Sequence, residues 1–123
     1  MKIVICKTGS RPEVREIGCE DLNAMQEIVG GWIEVVYLSD VLCLVCNDAG
    51  LILGMPLNRI IHNERINGTP LGALNIHGDF FLCQYAGPDM TSIPEKRLSM
   101  IEAAMSGPIT HLDAAWHMRY KSL

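Results

Sequence analysis

The stretch Val29-Gly30-Gly31-Trp32-Ile33-Glu34-Val35-Val36-Tyr37-Leu38 decides how the rest of this chain is read. Apolar residues at helical spacing lead into it, with Leu22, Met25, Ile28 and Val29 on one face and Asn23, Gln26 and Glu27 on the other. Glu20 and Asp21 fall in the first turn, where the positive end of the helix dipole favours them. Two glycines then break the pattern, and Gly30 is placed to take the left-handed conformation just past a helix end. The run that leaves the glycines is rich in β-branched and aromatic residues and reads as a strand. The sequence therefore predicts a helix over 20–29, a sharp corner, and a strand over 32–38.

Working outward, Ser39-Asp40 is a tight turn and 41–46 returns antiparallel. Asn47-Asp48-Ala49-Gly50 is a second turn, and Leu51-Ile52-Leu53 is expected to complete a three-stranded meander. Upstream, 2–7 and 13–17 form a hairpin around the Thr8-Gly9-Ser10-Arg11-Pro12 loop. Downstream, Pro56 argues against a central strand, so 55–62 is expected as a short helix or an irregular crossing. Asn67-Gly68-Thr69-Pro70 is a turn, 71–76 is open between helix and strand, and 79–85 is the last strand. Adjacent Phe80 and Phe81 face opposite sides of that strand, which predicts cover on both sides. Ser92 and Glu95 have capping-box spacing before a helix to about residue 106, which Gly107-Pro108 stops. One more helix is expected over 109–120. The fold class is α+β, a single antiparallel sheet of about five to six strands with two to three helices. Residues 1–123 form one domain, with 108–123 as a C-terminal helical extension.

Composition fits a packed domain. The chain has 123 residues, 49% of them hydrophobic and 20% charged, with a net charge of −4. No run approaches the ~20 apolar residues of a membrane span, and no secretory leader is read, so a cytoplasmic location is expected without a membrane partner. The acidic balance, with no basic arm, makes nucleic acid an unfavoured partner. Five cysteines in such a chain read as reduced thiols. Cys43 and Cys46 have CxxC spacing, but on a strand they face opposite sides, and neither a second CxxC nor a close histidine pair completes a zinc site.

Polar chemistry concentrates in a few places. Asn58-Arg59 with His62 is the leading cluster, because a guanidinium fork grips phosphate and an amide reads a base or ribose edge. In a helix, Asn58 and His62 would share a face; the alternative pairs Arg59 with an acid such as Glu64 at the surface. Gly30-Gly31 has the composition of a phosphate loop but the wrong order, since it follows a helix and starts a strand. Ser10 and Arg11, in the loop after the first strand, suit an anion better, and Phe80 could stack on a base. The four histidines, His62, His77, His111 and His117, are scattered with no HxH or HExxH pair, and His117 with Asp113 is an i, i+4 pair on the last expected helix. No GxSxG, Walker or paired-carboxylate pattern occurs, so neither catalytic residues nor a cofactor or metal are expected.

The order of motifs also carries a resemblance. Val29 to Glu34, Asn47-Asp48-Ala49-Gly50, Gly54-Met55-Pro56-Leu57-Asn58-Arg59 and Gly78-Asp79-Phe80-Phe81 resemble a family of small domains of unknown function common in bacteriophages and mobile elements. The resemblance covers roughly residues 2–98 and leaves the segment with Trp116 and His117 outside. It implies a phage-type, non-enzymatic protein. The expected function is sequestration of a phosphorylated small molecule, such as a cyclic nucleotide or ADP-ribose-derived immune signal, by a homodimer or higher homo-oligomer. Asn58, Arg59, His62, Arg11, Ser10 and Phe80 are the expected ligand contacts. The alternatives are an inhibitor or adaptor that binds a host protein, and a small cysteine-dependent enzyme.

Overall fold

The computed structural model describes residues 1–64 and 72–123, so the turn expected at 67–70 lies outside the described residues. The main sheet is built on β1 (Lys2–Cys6), β2 (Glu13–Glu16), β3 (Ile33–Tyr37), β4 (Leu42–Asn47) and β7 (Phe80–Ala86). Its order is β2-β1-β7-β4-β3, with the short β8 (Asp89–Thr91) added to β7. The N-terminal hairpin and the β3–β4 hairpin lie on either side of β7, and every pairing in this sheet is antiparallel.

The expected single sheet is corrected at 55–62. That segment is β5 (Leu57–Asn63), the centre of a second sheet with β6 (Gly72–His77) and β9 (Ile109–Leu112). The β5–β9 pairing is parallel, so the strands are not all antiparallel. Pro56 misled the reading because it stands just before the strand, where its missing N–H costs no ladder bond. Two further expectations change. Leu51-Ile52-Leu53 is not a third meander strand but a compact turn, closed by Leu53 N–H to the Ala49 carbonyl and Met55 N–H to the Gly50 carbonyl. The single helix expected over 109–120 is instead β9 followed by α3 (Ala114–Ser122), capped by Asp113 accepting from the Trp116 N–H at 2.8 Å.

The corner in the opening stretch forms as read. Helix α1 (Leu22–Val29) ends at Gly30, whose φ of 77° is left-handed and whose N–H returns to the Gln26 carbonyl at 2.8 Å. Asp21 caps its start from just outside the helix. The capping box before α2 (Glu95–Ala104) does not form, because the Ser92 hydroxyl accepts the Lys2 N–H at 2.9 Å instead.

Two apolar clusters flank the main sheet. One places Ile3, Ile5, Val45 and Phe81 against Met25 and Val29 of α1. The larger one places Val4, Leu44, Phe80 and Leu82 against the second sheet, α2 and α3, through Ile61, Leu112, Ile101, Trp116 and Tyr120. Phe80 and Phe81 therefore enter different clusters, as the alternation of a strand requires. Cys43 and Cys46 separate in the same way. No helix among the described residues is long and apolar enough to cross a membrane.

Candidate functional site

Asn58 and Arg59 sit at a bulge in β5, which turns both side chains inward. Arg59 is only 4% exposed. Its Nε and one terminal nitrogen, Nη2, donate to the Met105 carbonyl at 3.2 and 3.1 Å, and Nη2 also reaches the Ser10 carbonyl at 2.8 Å. Nη1 donates to the Asn58 carbonyl at 3.2 Å and to Asn58 Oδ1 at 2.6 Å. These contacts engage all five guanidinium N–H groups. The Asn58 amide in turn donates to the carbonyls of Cys6 at 2.8 Å and Gly78 at 2.9 Å.

The pair therefore ties together the end of β1, the loop after it, the β6–β7 turn and the C-terminus of α2. Met105 is the residue that closes α2, so the guanidinium lies at the negative end of the helix dipole. That placement and the ring of carbonyls explain how a buried cation is held away from a carboxylate. The same cation opposes, without overcoming, the burial that pushes the Cys6 thiol up to about 12.

The remaining expected contacts do not converge on it. His62 points to the other face of β5 and stacks on His111 of β9, with ring centroids 4.8 Å apart and nearly parallel. Phe80 has no exposed surface. Ser10 and Arg11 are exposed, and Ser10 reaches Arg59 through its backbone carbonyl. The anion-suited loop already holds a carboxylate of its own chain. Thr8 donates to Asp79 Oδ1 through its N–H at 2.9 Å and through its hydroxyl at 3.4 Å.

Other residues line the open clefts. One of about 310 Å³ lies between α1 and the N-terminal hairpin and is bordered by Lys7, Arg15, Glu27 and Asp79. Arg15 donates to Glu13 at 2.6 Å, which holds the Glu13 carboxyl below its ordinary range. A second, of about 230 Å³, opens between β3–β4 and β6 beside Glu34, Cys46, Asn75 and His77. A third lies beside Trp32 and the polar face of α1. The charge alternation of 13–16 is the only sequence signal for the first; the others depend on how the two sheets and α1 pack. Among the described residues no group of three His, Cys, Asp or Glu side chains is placed to hold a metal ion.

His117 and Asn47 are two further buried polar residues to which the sequence reading gave no site role. His117 is buried, with Nε2 at 2.8 Å from Asn63 Oδ1 and no partner for Nδ1 among the described residues. Burial lowers its pKa, against the opposing pull of Asp113 and Asp40. Asn47 donates to the Val29 carbonyl at 3.1 Å and accepts from the Ala49 N–H at 2.8 Å. It thus fastens the helix end to the turn that follows β4.

That contact gives the ordered motifs a physical meaning. A Cβ on Gly31 would stand 2.9 Å from the Asn47 amide, a Cβ on Gly50 would meet the His77 carbonyl at 2.5 Å, and Asn58 binds the Gly78 carbonyl. The motif residues are the close contacts of one folded corner. No curated protein and no solved structure matches the chain at a significant level. Residues 1–106 match the domain of unknown function DUF3846, and the chain belongs to that family.

Proposed function

We propose that this chain is a non-enzymatic protein-binding domain, an inhibitor or adaptor of the kind mobile elements direct at host factors in the cytoplasm. One observation carries the reading. Trp32 is 71% exposed, and the consecutive Leu51, Ile52 and Leu53 are 72%, 87% and 62% exposed. The Asp48 N–H donates to the Trp32 carbonyl at 3.0 Å, which ties the backbone at Trp32 to the start of the turn that carries Leu51-Ile52-Leu53. Exposed aliphatic and aromatic side chains of this kind are what protein interfaces bury, and tryptophan is prominent among their hot spots. Affinity capture from host lysate with the wild-type chain, Trp32→Ala and Ile52→Asp tests it. The expected result is a defined partner retained by wild type and lost by both variants at unchanged thermal stability. Equal capture by all three overturns the reading.

A second reading keeps the phosphorylated small molecule and moves it to the cleft of Lys7 and Arg15. Two cations on one concave wall favour it, because each can exchange its ion pair with Glu13 for one with a phosphate. Thermal-shift screening with cyclic nucleotides and ADP-ribose derivatives checks it. A ligand at a hundredfold excess over Kd adds about 2.7 kcal/mol, and Lys7→Ala with Arg15→Ala removes that gain. A panel with no stabilising compound refutes it.

A further inference from the structure

The two edges of the main sheet are built differently. At one edge, β2 carries Glu13, Arg15 and Glu16, the charged pattern that discourages further strand pairing. At the other edge, β3 reads Ile-Glu-Val-Val-Tyr, with one charge, no proline, no glycine, and an unbroken register against β4. The backbone bonds fix which groups of β3 are free. The Asp48 N–H donates to the Trp32 carbonyl at 3.0 Å, and the Leu38 N–H donates to the Leu42 carbonyl at 2.9 Å. In an antiparallel ladder, bonded and non-bonded pairs alternate. Glu34 and Val36 therefore bond to β4, while the N–H and C=O groups of Ile33, Val35 and Tyr37 point away from it. Among the described residues no strand pairs with that side.

We propose that β3 is a self-pairing edge, and that two copies of the chain dimerise by antiparallel addition of β3 to β3 about a two-fold axis at Val35. This register sets Ile33 against the second copy's Tyr37 and Val35 against its own equivalent. Those are the residues with free backbone groups, so each facing pair exchanges two hydrogen bonds. Glu34 then faces Val36, and no charge opposes a like charge. A slip that centres the axis on Glu34 keeps the bonding phase but sets glutamate against glutamate, which disfavours it. The centred register also overlaps the whole of β3. On one face it brings Tyr37, whose ring already packs edge-on against Tyr85 at 4.8 Å, beside a second isoleucine.

The self-pairing does not rest on the apolar turn at 51–53, and the two are separable. The test is sedimentation of the full chain up to about 0.5 mM, with amide exchange read residue by residue. A concentration-dependent dimer is expected, with the amides of Ile33, Val35 and Tyr37 protected only where the dimer forms. Those of Glu34 and Val36 are protected throughout. Val35→Pro removes an N–H that the monomer does not use, and is expected to raise the dimer Kd at least about tenfold while the circular dichroism is kept. Ile33→Pro, at the first strand residue, serves if the packing of Val35 against α1 proves intolerant. Ile52→Asp is expected to leave the dimer intact. A monomer at every concentration overturns the proposal, as does a dimer that survives both proline variants, one whose three outward amides stay exposed, or one that Ile52→Asp dissolves.

Discussion

Replacing Arg59 with methionine separates a structural clasp from a ligand contact. The substitution keeps much of the stem volume and removes five hydrogen bonds from a site that is 4% exposed. The carbonyls of Met105, Ser10 and Asn58, with Asn58 Oδ1, then lose a charged donor. Each buried acceptor left unpaired costs about 1–3 kcal/mol, and these neighbours do not add fully. Four acceptors left without a donor, discounted for that non-additivity, give an expected loss of about 3–5 kcal/mol. It is a large share of the ~5–15 kcal/mol by which domains are stable. Arg59→Lys keeps the charge but has three donors on a flexible stem that cannot span Met105 and Ser10 together, so about half of that loss is expected. Urea unfolding followed by circular dichroism measures both, and a fall in Tm of about 10–20 °C is expected for the methionine variant. Functional arginines are commonly held at a stability cost, so their replacement is neutral or stabilising. A variant within about 0.5 kcal/mol of wild type refutes the clasp and restores Arg59 as a binding residue.

Three further expectations follow from particular contacts. Gly50→Ala forces a Cβ to within 2.5 Å of the His77 carbonyl, a backbone atom, so a loss of about 2 kcal/mol or more is expected. A Cβ on Gly72 meets nothing within 4 Å among the described residues, so Gly72→Ala serves as the control, with little change expected in the same unfolding assay. Because burial lowers the pKa of His117, the unfolded chain takes up its proton first as pH falls below 6.5. Stability is therefore full above that pH and declines from there down through the folded pKa, by at most about 1.4 kcal/mol per pH unit for one proton. His117→Phe flattens this window in a Tm-against-pH series but not the separate loss below 3.8, where Asp40 gives up its bond to Lys121. Finally, native thiol labelling is expected to reach Cys19 alone. Cys6 and Cys46 are buried with thiols raised to about 12 and about 11, and the bond to Cys43, with burial, keeps the Cys83 thiol protonated. Labelling of Cys43 or Cys83 at the Cys19 rate counts against that packing.

The family corner also changes how the motifs are used. Residues such as Gly31, Asn47, Gly50 and Asn58 stand apart in the chain, yet each closes a contact that a bulkier or apolar residue would disturb. Their pattern therefore marks a fold.

What the sequence determined by itself is local. Helical spacing, a glycine at φ 77° and a β-branched run are read within a few residues, so α1, the corner, β3, β4 and the opposite cover of Phe80 and Phe81 were all legible. Tertiary structure decided the rest. An eight-residue segment with a proline and mixed polarity, 55–62, has no dominant period, and only pairing with β6 and β9 made it the centre of a second sheet. Leu51-Ile52-Leu53 has strand composition but, among the described residues, no strand pairs with it. Arg59 has the chemistry of a phosphate ligand. The carbonyls that engage it come from residues 10, 58 and 105, and their convergence is a property of the packed chain that no spacing in the sequence encodes.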